Sequence, residues 1–403
     1  MNYFKLGKQV KLFITVIFLF GLTSSAFNGF LGIYVKEIGY NETVVGSLLS
    51  LRRFAVAGSA VAMALFASRF GRRNAIAFGL TIIGISAVLM VSTKNLLFMQ
   101  AMCILSGIGQ STLMTFEAPF LYAKTSESSR MHAFSASFAA KNAAFMVGSL
   151  VTGMLADLFG THFATNYIGV RYALYVVSAM SLIALIPLFM IKGEKSHNET
   201  KVHFREIKKI YSPKLVKMLL FTGIIGFGAG MIVPFFGVYL KYALELNDSG
   251  VGVILAIAQF GTVIGGLTVP YLAKRFGRIN TVTLVQMGSI PFLVLIGLPQ
   301  NVILVTIAFF FRSTLMNMAN PILQNFYMEL VDDAYRPLIS SLRSTMNNLA
   351  RALGILLGGF MMANVSYNSP YIITIICYFI GTILFRRMFK ADRKEAEIIL
   401  QEG

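Results

Sequence analysis

The nine residues FASRFGRRN (66–74) recur, with a few exchanges, as LAKRFGRIN (272–280), 206 positions further along the chain. Each copy is short, basic and set between two long apolar runs. The match continues on both sides. FLGIYVK (30–36) answers to FFGVYLK (235–241), and Asn41-Glu42-Thr43 to Asn247-Asp248-Ser249. Ser111-Thr112-Leu113-Met114 and Pro119 answer to Ser313-Thr314-Leu315-Met316 and Pro321. Glu127 and Arg130 answer to Asp333 and Arg336, and Gly148 and Gly153 to Gly354 and Gly359. Chance similarity between apolar helices would not place polar matches in order at a nearly constant offset. The chain is an internal duplication.

The composition says what kind of duplication. Of 403 residues, 56% are hydrophobic and only 13% charged, and the mean hydropathy is +0.71. A soluble protein draws about a quarter of its residues from the charged set, so this one could not cover a water-facing surface. Disordered, collagen-like and disulfide-scaffold classes are excluded by the same numbers. The reading is an integral membrane protein.

A membrane-spanning helix needs about 20 apolar residues. Twelve such spans are read at 10–35, 43–67, 74–93, 96–123, 131–157 and 168–191, then 214–240, 249–273, 280–298, 301–328, 338–364 and 369–388. Runs of this length favour helices over barrel strands, which alternate over about ten residues. Lys5, Lys8 and Lys11 before the first span resemble a signal peptide, but its apolar run is too long for one and it has a counterpart in mid-chain. Each repeat contains six spans, an even number, so both halves start on the same side of the membrane, a parallel repeat about an axis along the membrane normal. The expected organisation is a six-helix bundle over 1–191, a central loop over 192–213, a second bundle over 214–391 and a tail over 392–403.

The net charge of +18, from 35 Lys and Arg against 17 Asp and Glu, sorts by side. One side carries Lys5, Lys8, Lys11, Arg69, Arg72, Arg73, Lys124, Arg130, the central loop, Lys274, Arg275, Arg278 and the basic tail. The other carries Lys36, Lys94, Arg171 and Lys241. By the positive-inside rule both termini and the central loop are cytoplasmic, and the expected location is the plasma or inner membrane. The basic charge is then a topology signal, and nucleic acid is not an expected partner.

Here the sequence resembles the major facilitator superfamily. Arg69-Phe70-Gly71-Arg72-Arg73 and Arg275-Phe276-Gly277-Arg278 look like that family's loop pattern Gly-x-x-x-Asp-x-x-Gly-Arg-Arg/Lys. Ser68 replaces the pattern's Asp, Ala64 its first Gly, and Lys274 the Asp of the second copy. The resemblance implies two six-helix bundles rocking about a central cavity, with Ser68, Gly71, Arg72, Arg73, Gly277, Arg278, Glu127, Arg130, Asp333 and Arg336 in the gating loops. It is weaker to the family's drug antiporters, whose fifth helix carries a Gly-Pro. The fifth span here has Gly148-Ser149-Leu150-Val151-Thr152-Gly153 and no proline.

Charges inside spans cost about 2.5–3.5 kcal/mol each at a helix centre, so those present face the interior or one another. They are Arg52, Arg53, Glu117, Lys141, Arg312 and Arg351. Glu117 and Lys141 stand at similar heights on the fourth and fifth spans. They are read either as a structural ion pair or as a proton-coupling carboxylate with its partner. Arg312 and Arg351 have no carboxylate in their own half's spans, which favours contact with a polar or anionic substrate over packing. Arg52 and Arg53 point about 100° apart; one is expected to face the cavity, the other to pair with Glu37 or Glu42 or to extend outward. Asp157, close to a span end, reads as interfacial.

Cys103 and Cys377 read as buried apolar residues, the histidines show no metal spacing, and no Gly-x-x-x-x-Gly-Lys-Ser/Thr run provides for ATP. Neither cofactor nor metal is expected, and no nucleophile–base set suggests an enzyme. The reading is a monomeric, proton-coupled secondary transporter in the lipid bilayer. It exports amphipathic compounds or, alternatively, moves an anionic metabolite on its buried arginines.

Overall fold

Helix boundaries follow from local chemistry repeated in the two halves. Asn41 and Asn247 each accept a hydrogen bond from a backbone N–H three residues on, Val44 at 3.2 Å and Gly250 at 3.0 Å. Asn95 and Asn301 do the same for Phe98 and Leu304, both at 3.1 Å. These are N-caps, and they start repeat-related helices in register. Gly71 and Gly277 sit at φ +86° and +76°, a conformation that any side chain with a Cβ resists. That is why the two copies of the basic loop keep their glycine: the chain must reverse within one residue.

A computed structural model describes residues 6–192, 212–298, 301–331 and 335–389. The central loop from 193 to 211, Asp333, the side chain of Glu127 and the tail from 390 lie outside the described residues. Twelve spans run through the rest, with no strand among the described residues. In the first half they are α1 (Lys8–Glu37), α2 (Glu42–Phe70), α3 (Arg72–Val91), α4 (Leu96–Ala123), α5 (Glu127–Phe163) and α6 (Asn166–Phe189, with a turn at Ala184). In the second they are α7 (Pro213–Tyr242, tightened to a 3₁₀ turn at Val233–Phe235), α8 (Asp248–Phe276), α9 (Arg278–Gly297), α10 (Val302–Glu329), α11 (Arg336–Asn364) and α12 (Ser369–Met388). α5 is longer at both ends than its apolar run, because a helix held by neighbours continues past the hydrocarbon core.

The packing repeats with the sequence. Within the first half α1 lies on α5 and α6, α4 on α2 and α3, and α3 on α6; within the second α7 lies on α11 and α12, α10 on α8 and α9, and α9 on α12. The halves meet through α2 against α11 and α5 against α8, again a repeat-related pair. Both seams demand glycine. A Cβ on Gly252 would stand 2.5 Å from the Ser149 carbonyl oxygen, and one on Gly359 2.5 Å from that of Glu42.

Eleven spans are apolar enough to cross a bilayer by composition, counting α2 as one bent span. α11 is not, because Arg343, Asn347, Asn348 and Arg351 interrupt it. Its place between α2 and α7 and its 29 residues make it the eleventh span, and its polar side marks the interior.

Candidate functional site

The two ends of the molecule differ. At the end formed by the α1–α2, α7–α8 and α11–α12 connections, the halves are tied by charged groups. Lys36 pairs with Glu42, and the Tyr367 hydroxyl from the second half donates to the same carboxylate and lies 2.6 Å from Lys36 Nζ. Burial and the Glu42 carboxylate raise the Tyr367 phenol above its ordinary value, so it stays a donor. In the second half Lys241 holds Asp248 at 2.9 Å and reaches Glu37 of the first half at 3.2 Å. Tyr242 donates to Glu37 at 3.0 Å. The Asp157 carboxylate of α5 accepts from the backbone N–H groups of Asp248 and Ser249, at 3.0 and 2.8 Å. It caps a helix of the other half, where charge and helix dipole act in the same direction.

One expectation is extended here and another corrected. Asp157, near the end of its span as read, is also a bridge between the halves. Glu37 and Glu42 are taken by lysines and tyrosines at this end, so neither Arg52 nor Arg53 pairs with them: both arginines lie some ten residues deeper along α2, about 15 Å away at 1.5 Å per residue.

Further hydrogen bonds join the halves at mid-height, Arg53 Nη1 to Asn348 Oδ1 at 3.4 Å and the Gln259 amide to Asn142. Towards the other end the apolar core divides: one buried cluster lies wholly in the first half and another wholly in the second, whereas the cluster at the closed end runs through both. Leu65 on α2 and Leu267 on α8 are exposed on this side. One end is closed and the other parted.

At mid-height four guanidinium groups gather. Arg52 and Arg312 are only 6% and 5% exposed. Arg53 lies within electrostatic range of Arg52 and of Arg351, and Arg351 within range of Arg312. Arg312 donates to the Tyr378 hydroxyl at 2.8 Å and rests 5.2 Å from the centre of the Phe236 ring. No carboxylate among the described residues forms a salt bridge with any of the four. The Nε–H groups of Arg52, Arg312 and Arg351 are buried without a hydrogen-bond partner. Glycine lets the backbone bring two of these arginines in: a Cβ on Gly107 would collide with the Arg52 carbonyl, and one on Gly230 with that of Arg351.

Nearer the parted end, Lys141 Nζ meets Glu117 Oε2 at 2.6 Å, and Ser137 donates to Glu117 Oε1 at 2.7 Å. The pair is reachable by water, with side chains 42% and 23% exposed. The gating-loop residues lie at the parted end. Arg72 donates to the Pro119 carbonyl at 3.5 Å, Arg73 to that of Ile191 at 2.9 Å, and Arg278 pairs with Glu329 at 2.5 Å. Arg130 stacks 3.6 Å from the Tyr122 ring centre, and Arg336 donates to the Met328 carbonyl at 3.2 Å. Ser68 donates to the Leu65 carbonyl at 2.8 Å.

Sequence reading missed Asn348 and Tyr378, the neutral partners of the arginines, the tie at the closed end, and Arg343, which lies 5.2 Å from the Tyr327 ring centre. The run SSLRSTMNNLAR (340–351), polar in an apolar chain, was the available signal for Asn348 and Arg343. Tyr378 gave none, since a tyrosine in a span is unremarked.

A profile of the Major Facilitator Superfamily matches residues 13–332 and again 218–402. The chain belongs to the Major Facilitator Superfamily. Solved members of similar fold include the nucleoside transporter NupG, 14% identical with a TM-score of 0.78 over 97% of this chain and 100% of that one. A bacterial homologue of the human lysosomal transporter Spinster, in an inward-facing and unoccupied conformation, is 14% identical with a TM-score of 0.79 over 95% and 97%. The xylose transporter XylE from E. coli, in an inward open conformation, is 15% identical with a TM-score of 0.74 over 93% and 95%. At these identities the likeness is one of fold. No curated protein sequence matches the chain significantly. Membership makes this a multi-pass secondary transporter of a small molecule that works by alternating access.

Proposed function

We propose that this superfamily member carries an anionic small molecule across the cytoplasmic membrane, as a single chain, using the four mid-height arginines as its binding groups. One observation carries the reading: four guanidiniums at mid-height without a carboxylate. Desolvated like charges are costly unless a ligand compensates them. Export of amphipathic compounds, the reading that the sequence offered first, is opposed by the same field wherever those compounds are cationic.

The Lys and Arg bias supports a parted end that faces the cytoplasm, with both termini and the 192–213 loop on that side. The closed end then faces outward. Glu117 and Lys141, wet in this state, serve as the proton-responsive pair: protonation of Glu117 releases Lys141, which ties proton uptake to the cycle. The gating loops at the parted end regulate the rate of closure rather than affinity.

The test is transport by purified protein in proteoliposomes with an imposed pH gradient, over a panel of organic anions and cationic dyes. Accumulation of an anion, lost on Arg312→Gln or Arg351→Gln in variants that unfold at the wild-type temperature, is the expected result. Transport of cationic dyes with no anion carried would overturn the reading.

A further inference from the structure

The arginines are distributed between the halves in a way that says more than that the substrate is negative. Arg52 and Arg53 come from α2, and Arg312 and Arg351 from α10 and α11. Electrostatic contact runs in one line, Arg52 to Arg53 to Arg351 to Arg312, so the line crosses from one half to the other between Arg53 and Arg351. The crossing is already held by a neutral hydrogen bond, Arg53 to Asn348. In three of the four groups the Nε–H is buried and unpartnered. Nε with its neighbouring Nη is the edge that grips a carboxylate or phosphate with two parallel hydrogen bonds. Such unpaired edges belong to both halves, Arg52 in the first and Arg312 and Arg351 in the second.

We infer that the substrate carries two negative charges as oxyanion groups, a dicarboxylate or a phosphate ester, and that it bridges the arginines of the two halves and serves as the counter-charge without which the parted end cannot close.

The reason is the environment change during the cycle. With the end parted, water reaches the half-buried Arg53 and Arg351, which face one another across the halves, while Arg52 and Arg312 are already buried. Closure removes that water, and repulsion between like charges grows as the local dielectric falls. Asn348 and Tyr378 are neutral and cannot offset it. A monoanion leaves three of the four guanidiniums uncompensated, whereas a dianion can satisfy one edge from each half. The ligand therefore binds the closed form better than the parted form, which is the condition for a ligand to drive a conformational change. The unloaded carrier returns slowly, so transport is stimulated by substrate on the far side. This rests on the anion reading above.

The experiment has two arms. Binding to purified protein is measured by calorimetry for succinate, glycerol 3-phosphate and inorganic phosphate against lactate. At least one dianion should bind about tenfold more tightly than lactate, and the succinate and phosphate probes separate the two oxyanion sources. In the second arm, spin labels are placed at Leu65→Cys and Leu267→Cys in a protein lacking Cys103 and Cys377. Their distance should shorten when the bound dianion is added and stay unchanged with lactate. Arg53→Gln with Arg351→Gln should shorten it with no anion present, since the repulsion is gone. If that double variant does not fold, the wild-type response to dianion and lactate decides alone. Lactate bound as tightly as every dianion, or a label distance indifferent to the dianion, overturns the inference while leaving an anion transporter. No binding of any of the four anions, with cationic dyes transported, removes both.

Discussion

Asp157→Ala should open the closed end. The carboxylate makes two charge-assisted hydrogen bonds to the first N–H groups of α8, at 3.0 and 2.8 Å, and it comes from the other half of the molecule. Hydrogen bonds to charged groups contribute roughly 1.5–3 kcal/mol each, and losing a helix cap costs about 1 kcal/mol, up to about 2. Two terms reduce the sum. Asp157 repels the nearby Asp248 carboxylate, and the freed N–H groups find water once the seam parts. A net loss of about 2 kcal/mol is the resulting magnitude, which is roughly a 30-fold rise in the fraction of molecules with that end parted. Folding within each half is untouched, because both bonds run between halves. The assay is the labelling rate of Ser249→Cys by a bulky thiol reagent in detergent, in a protein lacking Cys103 and Cys377. Ser249 is half-buried on α8, and its hydroxyl lies 3.5 Å from the Gly153 carbonyl of α5 across the seam. Separation of the seam uncovers it, so a faster rate reports a larger parted fraction. An unchanged rate in a folded Asp157→Ala protein would refute the view that this cap holds the end shut.

Glu117→Gln should abolish accumulation driven by a pH gradient while substrate exchange persists; accumulation that survives makes the Glu117–Lys141 pair structural only. Arg278→Ala removes an ion pair to Glu329 whose side chains are 43% and 53% exposed. It should lower thermal stability by less than about 1 kcal/mol and, with Arg72→Ala, slow transport at unchanged affinity. A large loss of equilibrium binding would show that these residues act elsewhere. A cysteine placed at Asn198 should react with an impermeant reagent only after the membrane is broken; rapid labelling in intact cells would invert the topology.

Much of this was legible beforehand because the bilayer imposes local rules. Each residue's transfer cost adds along the chain, so span positions follow from hydropathy, except that α11, read as a span with the others, is too polar to qualify by composition and is placed by its packing. Duplication is visible because caps and turns use a few residue types at fixed offsets: Asn41 with Asn247, Asn95 with Asn301, Gly71 with Gly277. The inventory of intramembrane charge was also readable, since any charge in a span is an exception. Glu117 and Lys141 could be set beside one another from heights alone, as both stand on helices of known rise.

Tertiary structure alone decided which end is closed and which groups close it. Glu42 and Tyr367 are 325 positions apart, Tyr242 and Glu37 205, and Arg53 and Asn348 295. Nothing in either local sequence specifies such a partner. Rise along a helix gives height, but the direction of a side chain depends on rotation about the helix axis, which neighbouring helices fix through contacts such as Gly252 on Ser149 and Gly359 on Glu42. For the same reason Asp157 could be placed near a membrane surface from sequence yet not recognised as the cap of a helix in the other half. The four arginines were individually visible as exceptions. That they form one line across the halves, with neutral neighbours in place of carboxylates, is a property of the packing.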